Sequence, residues 1–409
     1  MRTLWLAALA AGMNLAVGAH ALTLDEAIRR AADAQPILRA GAAAVSAARG
    51  ARLQAGVRPN PSLTVEAENF LGTGPYGVLN QPEITGTYSQ QLERGGKRQA
   101  RIALADSDIA VAEAATAVER LDLAAQVQRA YLDVLVADEA TKVALEALAL
   151  ARRLETEAKR RVASAKDPLF VGTNAAARVA RARIGLEDAE RRQVATRSAL
   201  AAFWGETGEG LKPEGDALDL AASIGGGLAA ADEQLAKAEQ ARADSAIAYE
   251  QSRRTQDYTL GGGLRYLRDT SDVAAVATVT IPLGRFDRNE GNIARARAER
   301  ERVTLVAEAQ RLQRQRTLSA LRLEAGSAAL RAKAWRQEIQ PRTALALRQV
   351  QEGYARGGFS FRDLEAAADA VSEAQADYLA AIAQLRATQA DIDRLTGRFS
   401  TVSDGGTPQ

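Results

Sequence analysis

From Gln99 to Ser164 the chain contains neither proline nor glycine. At about 1.5 Å per residue, a helix over this stretch is a rod on the order of 100 Å long. Ordinary globular domains use helices a fraction of that length. Two apolar stripes run along it. Leu104, Val111, Val118, Ala125 and Leu132 recur with heptad spacing, and Ile102, Ile109, Thr116, Leu123 and Ala130 repeat the spacing two positions earlier. Two positions at about 100° each set the stripes on nearly opposite sides of the helix. A two-stranded coiled coil needs one seam. Two opposed seams predict neighbours on both sides, as in a sheet or tube of helices; an amphipathic helix in a simple bundle is the alternative. A second long helix is expected from about Gly291 to Arg356, interrupted at Gly326 and bent near Pro341.

Four segments alternate instead with period two. SLTVEAENF (62–70) sets Leu63, Val65 and Ala67 against Thr64, Glu66 and Glu68, and EITGTYSQQL (83–92) sets Ile84, Gly86 and Tyr88 against Thr85, Thr87 and Ser89. YTLGGGLRYL (258–267) groups Tyr258, Leu260, Leu264 and Tyr266 opposite Arg265, and VAAVATVTI (273–281) groups its odd-numbered apolar residues opposite Thr278 and Thr280. Length and pattern suit transmembrane β-strands, although a soluble hairpin sheet alternates in the same way. Lipid would face Leu63, Val65, Ile84, Val279 and Ile281, with Glu66, Glu68 and Arg265 toward a lumen. Four strands cannot close a barrel, and an open edge in lipid strands backbone groups without partners. Several chains must then pool their strands.

The first residues, MRTLWLAALAAGMNLAVGAHA, read as a secretory signal peptide cleaved after Ala21. No Cys follows, so no lipoprotein is expected. The only His (His20) and both Met residues (Met1, Met13) leave with this segment, and the chain has no Cys. Metal sites built from imidazole, thiolate or thioether are thereby excluded, as are Ser-His and Cys-His nucleophiles. No metal, no cofactor and no enzymatic activity are expected. The 53 basic and 51 acidic residues nearly balance, and Arg pairs alternate with Glu and Asp at helical spacing. That pattern reads as solvated helix faces rather than a nucleic-acid surface.

The chain repeats itself. IPLGRFDRNEGNIARARAE (281–299) follows QQLERGGKRQARIALADSD (90–108), with Leu92 falling on Leu283 and Ala105 on Ala296. Each is a turn from strand into long helix. Two halves result, 22–204 and 228–397, joined by a Gly-rich linker (205–227) and followed by a tail (398–409) expected to be disordered.

With these residues in view the sequence resembles the TolC-like outer-membrane efflux family over essentially the whole mature chain. NPSLTVEAEN (60–69), QQLERGGKR (90–98) and IPLGRFDRNEGNI (281–293) resemble its cobalt-zinc-cadmium (CzcC-like) branch. The resemblance implies a mainly α protein with a small transmembrane β part. It would form a trimer whose twelve-stranded β-barrel, four strands per chain, continues into a long periplasmic α-helical barrel. It further implies residence in the outer membrane, a periplasmic adaptor and an inner-membrane pump of the resistance-nodulation-division (RND) type. The function implied is a passive exit duct, for divalent heavy-metal cations in this branch. Export of drugs or polypeptides through the same conduit is one alternative; a soluble periplasmic coiled-coil adaptor is another.

The helix breaks near 165–173 and 355–361 each follow a rod of similar length and are expected to meet at the periplasmic entrance. YARGGFSFRDLEAA (354–367) keeps Tyr354, Gly357 and Asp363 of the family pattern, with Ala366 where a second acid often stands. The resemblance puts Asp363 in an acidic ring at that entrance. Arg356 is expected to pair across the turns with Lys166-Asp167; ordinary solvated turn charges are the plain alternative.

Overall fold

In a computed structural model, residues 22–215, 217 and 226–399 are described. The expected signal peptide, residues 1–21, lies outside them, as do 216 and 218–225 of the linker and 400–409 of the tail. The elements run α1 (Leu24–Ala34), α2 (Pro36–Ala55), β1 (Ser62–Glu68), β2 (Glu83–Leu92), α3 (Lys97–Ala163) and α4 (Leu169–Ala201). They continue with α5 (Ala230–Ser252), β3 (Tyr258–Leu267), β4 (Asp272–Thr280), α6 (Glu290–Ala334), α7 (Gln340–Arg356) and α8 (Phe361–Thr396). Helix α3 holds 67 residues without a break. All ten stripe positions along it are buried or half-buried, as two opposed seams require. Among the described residues no helix is long and apolar enough to cross a membrane.

Gly326 does not interrupt the second long helix. It sits inside α6 with nothing within 4 Å of where a Cβ would stand, so its cost is the ordinary loss of helix propensity. The disturbance comes at Pro341. A π-helical turn, Trp335–Ile339, joins α6 to α7, and the Gln340 N–H bonds the Trp335 carbonyl five residues back. A proline ring collides with the carbonyl four residues before it and offers no N–H; a wider turn at this point absorbs the misfit.

The described residues form two compact units. The sheet unit takes the described residues within Pro36–Asp122, Gly226–Ser319 and Arg394–Gln409. Its four strands pair antiparallel in the order β1-β2-β3-β4. The helices continuing those strands keep the same order. Arg49 and Arg52 of α2 reach Glu113 and Asp106 of α3 at 2.9 and 2.8 Å. Arg242 of α5 reaches Asp108 of α3 at 2.5 Å, and Arg300 of α6 reaches Asp244 of α5 at 3.1 Å. Exposed pairs of this kind add little stability, but they record which helices are neighbours. Small residues bring α2 close to α3: a Cβ on Gly41 would lie 2.9 Å from Thr116.

The helical unit takes the described residues within Met1–Gln35, Leu123–Gly225 and Ala320–Asp393. Val127, Val134, Leu200, Ile382, Leu385 and Ile392 are buried in it almost completely. Lys212, Glu214 and Ala217 of the expected linker are docked here. Leu22 N–H donates to the Lys212 carbonyl at 2.9 Å, and Glu214 N–H donates to the Leu22 carbonyl at 2.8 Å. The buried Tyr131 phenol lies 2.7 Å from the Leu22 carbonyl and 2.5 Å from that of Glu214. Arg386 donates to the Ala217 carbonyl at 3.1 and 3.2 Å. Peptide groups this shielded from water need such partners.

Candidate functional site

Two places carry chemistry, one in each unit. In the sheet unit, the register aligns residues of like character across all four strands. Val65, Gly86, Leu264 and Ala275 form one cross-strand row, and Ala67, Ile84, Tyr266 and Val273 the next. Their neighbours one step along, Glu66, Thr85, Arg265 and Ala274, form a row on the opposite face. The apolar face stands open, with Leu63 72% and Val65 67% exposed. On the polar face the guanidinium of Arg265 bridges three strands. It donates to Thr85 Oγ1 at 3.0 Å and meets Glu83 at 3.1 Å and Glu68 at 3.5 Å. Glu66 shares that face without bonding Arg265 directly. An open apolar surface on one side and fixed charges on the other suit a wall between lipid and water.

Below the sheet, each return from strand to helix is locked by side chains. Arg98 donates to the Gly56 carbonyl at 2.6 Å, and Arg101 to those of Ala55 and Val57 at 2.7 and 2.9 Å. These are orphan carbonyls and near neighbours at the negative end of α2, where cations are favoured. Arg101 also meets Glu93 at 2.6 Å. Asp257 gathers Lys97 at 2.7 Å, the Gln91 amide at 3.0 Å and the Arg94 N–H at 3.0 Å. After β4, Asp287 accepts the Asn289 N–H at 2.9 Å, and Asn289 donates to the carboxylate of Glu250 at 2.7 Å.

In the helical unit, α3 and α7 end in the same motif. The Lys166 N–H reaches the Arg161 carbonyl at 2.9 Å and the Ala165 N–H that of Val162 at 3.0 Å. Gly358 and Gly357 do the same to Gly353 and Tyr354, at 2.8 and 3.0 Å. Both are Schellman closures, with Ala165 at φ 52° and Gly357 at φ 88° in the left-handed position. Gly353 has a separate reason: a Cβ there would strike the Phe359 ring at 2.1 Å.

Between the two turns lies Asp167. Arg161 holds its carboxylate through two bonds of 2.9 and 3.1 Å, and the Tyr354 phenol donates to it. Arg161 also donates to the Tyr354 carbonyl at 2.6 Å and lies over the Tyr354 ring at 4.3 Å. Tyr354 is fully buried against Leu154, Ala158, Val171, Phe361 and Leu364. The Arg161 guanidinium holds the Asp167 carboxyl below its usual value, and burial together with the Asp167 charge pushes the Tyr354 phenol up. The expected partnership of Arg356 with Lys166-Asp167 is not formed. Arg356 turns back to Glu352, one helical turn away, at 3.2 Å, because Arg161 is nearer and can bind Asp167 with both arms of its fork. Lys166 stands exposed in the turn. Asp363 serves locally, accepting the Ser360 N–H at 2.9 Å and hydroxyl at 2.6 Å while Ser360 Oγ accepts the Asp363 N–H at 3.3 Å. That is a capping box opening α8, and the Ser360 bonds lower the Asp363 carboxyl. Among the described residues no group of three or more His, Cys, Asp or Glu side chains is arranged to hold a metal.

Known proteins share this architecture and resemble the sequence. A family profile described as "Outer membrane efflux protein" matches residues 27–206. The cobalt-zinc-cadmium resistance protein CzcC of Cupriavidus metallidurans is 29% identical over 389 residues, covering 92% of this chain and 90% of that protein. Residues 27–206 belong to the outer-membrane efflux protein family. The fold of the chain matches the solved outer-membrane protein VceC of Vibrio cholerae with a TM-score of 0.73 at 19% identity, over 91% of this chain and 96% of that one. The nickel-cobalt-cadmium resistance protein NccC of Alcaligenes xylosoxydans xylosoxydans is 28% identical over 297 residues, covering 72% of the chain and 65% of that protein. The efflux protein is therefore an outer-membrane channel, a passive component of an efflux system and not an enzyme. Sequence reasoning singles out Tyr354 and Asp167 but misses Arg161, Asp257 and Glu250. Each of the three also has a partner distant in sequence, Tyr354, Arg94 and Asn289 in turn, which no local spacing marks.

Proposed function

We propose that this efflux protein assembles as a trimer around a twelve-stranded barrel, four strands from each chain, continued by a periplasmic helical barrel. One observation carries the reading: a sheet with an exposed apolar face, a charged opposite face and two unpaired edge strands, β1 and β4. Such a sheet is tolerable in lipid only when its edges are closed by further copies. Two copies of one wall element, 22–204 and 228–397 in a chain preceded by a signal peptide at 1–21, account for the matched strand-to-helix turns. The cargo is divalent heavy-metal cations, delivered by an inner-membrane RND pump through a periplasmic adaptor. Likeness to proteins named for cobalt, zinc, cadmium and nickel resistance supports that cargo. The absence of His, Met and Cys after residue 21 agrees with a conduit that leaves metal selection to the pump. At the periplasmic entrance, Arg161, Asp167 and Tyr354 hold the two turns together, with Asp363, Arg356 and Lys166 as the charges a cation meets first. Glu66, Glu68 and Arg265 line the barrel lumen.

The test exchanges the pump. Cells lacking this chain should lose tolerance to zinc, cobalt or cadmium and regain it with the chain restored. With a drug pump and its adaptor in place of the native ones, the chain should support drug tolerance instead. Metal tolerance that needs this chain whichever pump is present, or never needs it, would sink the reading.

A further inference from the structure

The turn after β4 holds its two largest apolar side chains away from the protein: Leu283 is 90% exposed and Phe286 93%. The segment is nonetheless pinned. Gly284 adopts φ 52°, and a Cβ there would meet Gln256 at 3.0 Å. Beyond Phe286, Asn289 is fixed by Asp287 and by two bonds to Glu250, at 2.8 Å to its carbonyl and 2.7 Å to its carboxylate. The exposure of Leu283 and Phe286 is therefore set by the turn's own geometry. Leu283 also extends a stripe. The odd-numbered apolar residues of β4 run on through Ile281 to Leu283, beyond the last ladder bond.

Cations surround this apolar step. Arg285 lies over the Phe286 ring at 5.6 Å, and Arg94 over the Tyr258 ring at 4.0 Å. Arg58, Arg254 and Arg288 belong to connections at the same end of the sheet, because β1 begins, β2 ends, β3 begins and β4 ends there. All five guanidiniums are exposed, and none has a carboxylate partner among the described residues. Four of the acids at this end are already engaged: Glu93 by Arg101, Asp257 by Lys97, Glu250 by Arg253 and Asn289, Asp287 by the Asn289 N–H; Glu290 stands in the first turn of α6, where the positive helix end favours an acid. A second copy of the chain would bring the same cations and the same committed acids. The occupant that fits has an apolar body and an exposed anion, in line with an apolar face already turned to lipid.

We infer that this end of the sheet seats phospholipids of the periplasmic leaflet. The guanidiniums of Arg285 and Arg288 hold phosphodiester oxygens, and Leu283 and Phe286 enter the adjoining acyl region, as amphipathic side chains do at bilayer boundaries. The inference rests on the barrel reading above, so the experiment carries a control for that reading. Phe286→Trp and Val65→Trp channels are reconstituted separately into phosphatidylethanolamine–phosphatidylglycerol vesicles brominated either near the headgroup or deep in the chain. Emission is read as the difference from wild type, which carries Trp204 and Trp335 beyond residue 21. The Phe286→Trp channel should lose most of its added emission to shallow bromines and less to deep ones, while the Val65→Trp channel is quenched by deep bromines. Quenching in the Val65→Trp channel with none in the Phe286→Trp channel overturns the lipid seat and leaves the barrel standing. Absence of quenching in both overturns both. In a second measurement, the Arg285→Gln/Arg288→Gln channel should retain less lipid phosphorus per chain after detergent exchange than wild type. Equal retention overturns the role of the two arginines.

Discussion

Arg161, in the last turn of α3, donates to the backbone carbonyl of Tyr354, near the end of α7, at 2.6 Å. The same guanidinium binds Asp167, which the Tyr354 phenol also reaches, so three side chains close one loop of contacts. Removing one member leaves the others short of a partner in a largely buried place. Tyr354→Phe should destabilise this tip by about 1–3 kcal/mol, the usual cost of an unmet bond to a charged group. If the contact holds the entrance closed, single-channel conductance in planar bilayers should rise. Arg161→Ala should do so more strongly, while Arg356→Ser, whose side chain pairs only within its own helix, should change conductance little. Equal effects of Arg161→Ala and Arg356→Ser would remove Arg161 from the closure.

The lock should depend on pH at both extremes. Asp167 is held below its usual 3.8, so its stabilisation is complete above that value and is lost as pH falls through the lower folded value. Tyr354 is raised above its usual 10.0, so its contribution is complete below that value and is lost as pH rises through the folded one. Conductance should be flat between these limits and increase outside them. The acid limb should disappear in Asp167→Asn, and its persistence there would point to another carboxylate.

Ala165 occupies a left-handed position at φ 52°, where its counterpart after α7 is Gly357. A Cβ in that conformation costs about 1–2 kcal/mol. Ala165→Gly should therefore raise thermal stability of the helical unit by up to about 1 kcal/mol, after the extra chain entropy of glycine is counted. A melting temperature that falls would show that the side chain contributes more than its strain.

The faces of the sheet should respond differently to charge. Val65→Arg should cost roughly 2–4 kcal/mol near a bilayer midplane, and Glu66→Arg much less. Heat resistance of the assembled channel on unboiled gels reports the difference. Similar losses at both positions would contradict the assignment of faces.

Much of the fold is legible in the sequence where a pattern is local and periodic. The strands alternate residue by residue, and α3 declares itself by the absence of Pro and Gly and by two heptad stripes. The docking of Lys212, Glu214 and Ala217 is not legible, because Gly-rich composition signals turns but not the Tyr131 and Arg386 side chains that meet the Glu214 and Ala217 carbonyls. Charge alone misassigns the partner of Asp167 for a related reason. Arg356 and Arg161 both satisfy it by sign, and only the closed turn after α3 decides between them. Pro341 marks a disturbance in the sequence, yet its outcome, a π-helical turn just before it, depends on backbone adjustment that residue type alone does not encode.

The central claim is that β1 and β4, opposite edges of one chain's sheet, are closed by neighbouring copies. The chain has no Cys, so paired thiols can be introduced cleanly. A Thr64→Cys/Thr278→Cys channel in outer membranes, treated with a short bis-maleimide, should give covalent dimers and trimers on denaturing gels and nothing larger. Either single variant should give no species above a dimer. A paired variant that stays monomeric in intact membranes, or that forms ladders beyond three chains, would contradict the account.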